Sequence, residues 1–186
     1  APVAFGDPVL KQVLVRALEA SAEVERWTHG FHTYPAGLHP DAASLLLDVL
    51  PGERVLDPFC GGGTVLVEGR AKGRTTIGRD VSPTALRVAW LRSNAPSEEA
   101  LTRFRSASRR LTAAAREARE FPPPQIMRAV EEWYAPHALW EIESLRAGIA
   151  ESPEEIRGWL RGCLSSILVK TSWRRSDTSA QREKHH

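Results

Sequence analysis

Arg54-Val55-Leu56-Asp57-Pro58-Phe59-Cys60-Gly61-Gly62-Gly63-Thr64, with Thr75-Thr76-Ile77-Gly78-Arg79-Asp80 beyond it, decides the fold. The run Arg54 to Asp57 is short and apolar and enters a glycine cluster, which predicts a buried strand feeding a loop. Thr64 to Lys72 reads as a helix closed by Gly73, and Thr75 to Gly78 as a second strand ending at Asp80. Strand, glycine loop, helix and strand within about 30 residues make one βαβ unit, parallel and right-handed.

The loop carries chemistry. The first strand delivers Asp57 to the carboxyl edge of the sheet, glycines let the backbone approach a ligand, and a helix begins with free N–H groups. A phosphate-binding loop needs Lys-Ser/Thr after its last glycine, and Gly63 is followed by Thr64-Val65-Leu66. The G-x-G-x-x-G dinucleotide spacing fails too. An acid before the loop repels a pyrophosphate but suits an ammonium group. Asp80 stands about 20 residues past the loop, where a βαβ unit presents a carboxylate to ribose hydroxyls. A nucleoside bearing an amino acid and no phosphate, S-adenosylmethionine, fits both acids. Asp80 alone could equally cap the helix that starts near Pro83.

Outward from this unit the chain is helical. Pro8 to Trp27 has helical apolar spacing and predicts one amphipathic helix; Asp41 to Leu50 predicts a second, ended by Pro51-Gly52. Thr84 to Leu91, an Arg- and Ala-rich Glu98 to Glu120, His137 to Ile149, and a stripe from Ile156 to about Val169 follow. Phe121-Pro122-Pro123-Pro124 breaks the second of these, Glu98 to Glu120, and Ser152-Pro153-Glu154-Glu155 starts the last with Ser as cap. Two strands against six or seven helices leave a parallel sheet too small to stand alone. Further strands are expected from another polypeptide or from a longer version of this one. The organisation reads as 1–52, N-terminal helices; 53–96, the βαβ unit; 97–170, a helical insertion; and 171–186, a basic tail.

Composition bounds the rest. The 186 residues are 42% hydrophobic and 26% charged, an ordinary globular balance. No window approaches 18 consecutive apolar residues, which excludes a transmembrane helix, and no basic-then-apolar leader is present. Two cysteines make neither a disulfide scaffold nor a zinc site, and the six His show no metal-ligand spacing. A cytoplasmic protein is expected. The net charge is +2, yet 21 of the 25 basic residues are Arg, either a compositional bias or a phosphate-contacting surface.

Leu56-Asp57-Pro58-Phe59-Cys60-Gly61-Gly62-Gly63-Thr64 resembles the D-P-F-x-G-x-G-T motif of DNA amino-methyltransferases (adenine-N6 or cytosine-N4), and of RNA guanine-N2 enzymes. Phe31-His32-Thr33-Tyr34-Pro35-Ala36-Gly37-Leu38-His39-Pro40 is similar to their H-x-Y-P-A-x-x-x-P segment, and Ile77-Gly78-Arg79-Asp80-Val81-Ser82-Pro83 to their G-x-D-x-x-P motif. The resemblance implies an α/β fold: a Rossmann-like class I methyltransferase unit with an incomplete parallel sheet and a large helical extension. It implies S-adenosyl-L-methionine as cofactor. Tyr34, Pro35 and Ala36 would line its methionine end, and Asp57 would face its amino group. Phe59, Cys60, Gly61, Gly63 and Thr64 would form the loop, with Cys60 itself a small buried residue. Asp80 would hold the ribose and Val81 pack on the adenine.

The family's catalytic tetrad, [DNS]-P-P-[YFW], is absent from these 186 residues; Phe121-Pro122-Pro123-Pro124-Gln125 has neither a polar acceptor before its prolines nor an aromatic after them. A cofactor half without a catalytic half is therefore expected, inactive by itself and completed in cis or by another chain, with self-association as a further way to cover open edges. DNA is the expected substrate, RNA the alternative, and a non-catalytic cofactor-binding subunit a third reading. Trp133-Tyr134-Ala135-Pro136-His137 is expected to pack in a core rather than stack on bases. Lys170 to Thr178 is either a solvated tail or a nucleic-acid backbone contact.

Overall fold

Helix α1 (Pro8–Glu19) begins where Asp7 accepts hydrogen bonds from the amides of Val9 and Leu10 (2.9 and 3.0 Å) and Pro8 fills the first turn. The computed structural model describes residues 6–21, 23–32, 34–35, 37–120 and 128–173, without the side chains of 128 and 129. Contacts divide the chain into two units, 1–95 and 96–186.

The single helix expected from Pro8 to Trp27 stops at Glu19, because Ala20 is extended. The following segment instead brings Arg26 and His29 to Glu68, so tertiary pairing overrides helical propensity there. Helix α2 (Pro40–Val49) is capped by the His39 ring, whose Nδ1 accepts from the Asp41 amide.

Strands β1 (Arg54–Asp57) and β2 (Thr75–Gly78) pair in parallel, with Leu56 opposite Ile77 and Asp57 opposite Gly78. Helix α3 (Thr64–Ala71) links them and covers one face. A Cβ on Gly69 would lie only 2.6 Å from the Thr76 methyl, and that close approach seats the helix on Thr76 and Val55. Leu56 (61% exposed) and Ile77 (41%) alternate onto the opposite, open face. Helix α4 (Pro83–Ser93) packs on α3, with Ala89 against Leu66 and with Ala85 and Val88 buried as well. Helix α1 packs on α2 and α2 on α3. The N-terminal helices and the βαβ elements thus fall in one unit.

The second unit consists, among its described residues, of α5 (Glu98–Glu117), a 3₁₀ turn (Arg128–Trp133), α6 (Pro136–Ala150) and α7 (Glu154–Thr171). Ala100, Ala107, Ile149, Ile156 and Leu160 form its core, and Phe104, Leu111, Trp159 and Leu164 pack around them. Small residues let the helices close: a Cβ on Gly148 would overlap Leu111. Ser152 is not the cap of α7. Pro153 holds that position, and the Ser152 hydroxyl donates back to the Gly148 carbonyl (2.8 Å), while Arg157 donates to the Ser152 carbonyl. Tyr134 is buried, as core packing requires. The Phe121–Gln125 break lies outside the described residues, as do residues 174–186 of the basic tail. No described helix is long and apolar enough to cross a membrane.

Candidate functional site

The loop between β1 and α3 is fixed mostly by its own backbone. Cys60 N–H donates to the Arg79 carbonyl and Arg79 N–H to the Asp57 carbonyl (both 2.9 Å), which extends the β1–β2 pairing into the loop. Gly63 N–H closes a turn onto the Cys60 carbonyl. Gly63 has φ +83°, and a side chain there would meet the Ala89 backbone at 2.8 Å, so only glycine fits. Among the described residues no side chain caps α3, so its first-turn amides face the loop without a side-chain acceptor there.

Asp57 and Asp80 stand at the carboxyl ends of the two strands. Asp57 accepts from the Phe59 amide at 3.1 Å. Asp80 accepts from Ser82 N–H and Gly61 N–H, each at 2.9 Å, and these amides hold its carboxyl below the ordinary range. It is not the cap of α4: Ser82 is, through a bond from the Ala85 amide. A carboxylate has about four acceptor sites, so Asp80 keeps acceptor capacity beyond these bonds. Two cavities flank Pro58. One, about 390 Å³, is lined by Ile77, Asp80, Val81 and Leu86 among others; the other, about 440 Å³, by Leu46, Asp57, Phe59, Gly61 and Thr64 among others. Phe59 (82% exposed) and Val81 (95%) leave apolar surface bare at this edge. Cys60 is buried behind it, with Leu66 and Ala89. Burial first, then the charges of Asp57 and Asp80, push its thiol up.

Tyr34 lies over the glycines: a Cβ on Gly61 would sit 3.5 Å from its ring, and one on Gly62 3.0 Å from its Cβ. Pro35 is exposed beside it, and Ala36 lies outside the described residues. The structure therefore brings Tyr34, Asp57, Phe59, Cys60, Gly61, Gly63, Thr64, Asp80 and Val81 around one strand edge.

Two supporting clusters escaped the sequence reading. The half-buried Arg92 guanidinium donates to the carbonyls of His29, Phe31, His32 and Gly62, at 2.5 to 3.1 Å. His32 has φ +59°, strained for a non-glycine residue, and its carbonyl is one of those held. Buried Glu68 accepts from Arg26 Nε and His29 Nε2, and Arg26 also pairs with Asp41 at 2.5 Å. A signal existed for Arg92: it follows Ala85, Val88 and Ala89 at i+7, i+4 and i+3, a charged residue on the apolar face of α4.

Residues 27–131 match the model of the RMKL-like methyltransferase domain, UPF0020. The Type II methyltransferase M.MvaI of Kocuria varians is 38% identical over 61 residues, which are 30% of this chain and 13% of that protein. The chain thus spans a small part of that relative's length. No solved structure matches. The family match takes in the Tyr34 segment, the glycine loop and both strand-end acids, more than half of the chain; the chain belongs to the RMKL-like methyltransferase domain family.

Proposed function

We propose that this chain is the S-adenosylmethionine-binding part of a class I methyltransferase that modifies an exocyclic amino group of DNA, adenine N6 or cytosine N4. The observation that carries the reading is Asp80 tied to Gly61: one hydrogen bond joins the glycine loop to an acid that still has acceptor capacity. The donor set fits the cofactor. Asp80 would accept the ribose hydroxyls, Asp57 would face the ammonium group, and the uncapped amides of α3 would face the carboxylate. Val81, Ile77 and Leu86 offer apolar surface to the adenine. Tyr34 and Phe59 bound the methionine end.

When bound, S-adenosylmethionine supplies an electrophilic methyl group on a sulfonium. The chain's contribution is orientation, since in-line attack by an amine needs lone pair and methyl aligned. A polar acceptor for the amine proton and an aromatic to stack on the extruded base are needed as well. The absent tetrad and the bare face of Leu56 and Ile77 support a catalytic segment outside these residues, in cis or from a partner, that completes the sheet.

Calorimetry tests the reading. Asp80→Ala is expected to weaken S-adenosylmethionine binding by about 1–3 kcal/mol, as for lost hydrogen bonds to a charged group. Unchanged affinity in that variant overturns it.

A further inference from the structure

Helix α5 carries a surface that the cofactor site does not explain. From Ala100 to Arg116 it contains five arginines and no acid, while Glu98, Glu99 and Glu117 stand at its two ends. Its inward face is committed: Ala100, Ala107 and Ala115 are buried, and Phe104 and Leu111 pack on the core. The arginines do not behave alike. Arg103 pairs with Glu99 (2.6 Å) and Glu155 (3.1 Å), and Arg110 donates to the Ser106 hydroxyl. Arg105, Arg109 and Arg116 are exposed and, among the described residues, have no acidic partner.

At 3.6 residues per turn those three fall within about 40° of one another, spaced by rises of about 6 and about 10.5 Å. Thr102, Thr112 and Ala113 lie along the same face, all exposed. The result is a row of guanidinium groups among small and hydroxyl side chains; Glu98 falls on the same face about 10.5 Å before Arg105, and no carboxylate stands between Arg105 and Arg116. Phosphate is the ligand such a row matches, because the guanidinium fork binds its oxygens in pairs. A single strand is a poor fit, since single-strand sites stack bases on aromatic rings and this face has none. A B-form duplex offers regularly spaced phosphates and a major groove that admits a helix, whereas the A-form groove is too narrow.

We propose that the outward face of α5 is a docking surface for duplex DNA, with Arg105, Arg109 and Arg116 on the phosphate backbone. The choice of DNA rests on the proposed substrate class; the surface itself does not depend on the cofactor site. It positions the duplex and carries no sequence information, as backbone contacts do.

The test is fluorescence anisotropy of the full 186-residue chain on a labelled duplex of about two helical turns, without S-adenosylmethionine. Each phosphate contact contributes a slope of about −0.9 to log K against log salt. Replacing Arg105, Arg109 and Arg116 together by Ala is expected to flatten that slope by about 2.7. Equivalently, the wild-type Kd rises about 40-fold more than the variant's between about 50 and about 200 mM salt. The triple Lys variant keeps the slope, which separates charge from folding. Lys11→Ala, Arg16→Ala and Arg87→Ala combined remove the same charge elsewhere and keep it too. An unchanged slope in the Ala triple, an equal loss in the control, or tighter binding to an RNA duplex or to phosphatidylserine vesicles overturns the proposal. Because binding rather than transfer is read, failure here leaves the cofactor reading intact, and failure of the Asp80 test leaves this one.

Discussion

Arg92, on α4, donates to the carbonyl of Gly62 across 3.1 Å, and the same guanidinium holds the carbonyls of His29, Phe31 and His32. One side chain thereby joins the glycine loop to the segment leading into Tyr34. No carboxylate pairs with it among these contacts, and burial pulls the guanidinium below its ordinary pKa. A positive charge satisfied by main-chain carbonyls makes α4, the loop and the Tyr34 segment one mechanical piece.

Arg92→Ala leaves those carbonyls without their donor inside a partly buried junction. The expected cost is about 2–3 kcal/mol, read from the midpoint of urea denaturation. Arg92→Lys, a point charge lacking the planar fork, recovers only part of it. A loss below about 0.5 kcal/mol in the Ala variant, the usual range for a surface change, removes Arg92 from this role.

The pH dependence of Asp80 follows from the sign of its shift. The amides of Ser82 and Gly61 lower its folded pKa below the ordinary 3.8. Its contribution is therefore fully present above about pH 4 and is lost as pH falls through the lowered value. Denaturation midpoints of wild type and Asp80→Asn are expected to differ at neutral pH and to converge in acid. A gap that persists unchanged at low pH assigns the effect to shape rather than charge.

The parts of this molecule written in local sequence are those whose causes are local. Both strands occupy the stretches read for them, Arg54–Asp57 and Thr75–Gly78, because apolar runs bounded by glycine have few other uses. The ends of α1 and α7 were misread where the deciding partner is distant or competes locally. Arg26 leaves helical geometry to reach Glu68, 42 residues on, and Ser152 bonds Gly148 rather than capping α7. Asp57 and Asp80 stand at the strand ends where the sequence places them, because loop and strand end announce that position. Arg92 and Glu68 were not legible, since each looks like a stray charge until its partners fold against it.

Glu68 is the counterpart of Arg92 on α3. Its carboxylate is almost fully buried and accepts from Arg26 at 3.1 Å and His29 at 2.7 Å. Removing one partner of a buried pair leaves the other charge uncompensated, so Glu68→Ala is expected to cost about 3–5 kcal/mol in urea denaturation. Arg26 retains Asp41 and is about one-third exposed, which places the value at the low end of that range. If the Glu68→Ala, His29→Ala double variant loses less stability than the sum of the two single losses, the pair is coupled as drawn; simple additivity separates them.

Cys60 sits inside the one loop where a thiol invites a catalytic reading, and its surroundings argue against that reading. A nucleophilic cysteine is exposed to cations or a helix N-terminus that lower its pKa. Cys60 instead is buried, and the carboxylates of Asp57 and Asp80 add to burial in raising the thiol's pKa. Its sulfur is packing: a Cβ on Gly78 would lie 3.0 Å from Sγ. With Cys163→Ser as background, Cys60 is the single thiol, and alkylation at neutral pH is expected to be slow in the folded chain and fast in urea. Asp80→Asn removes one of the opposing charges, so the pH at which folded Cys60 begins to react shifts downward. Prompt alkylation of the folded protein near pH 7, without a dependence on Asp80, would show a thiolate available to substrate and return Cys60 to the list of reacting groups.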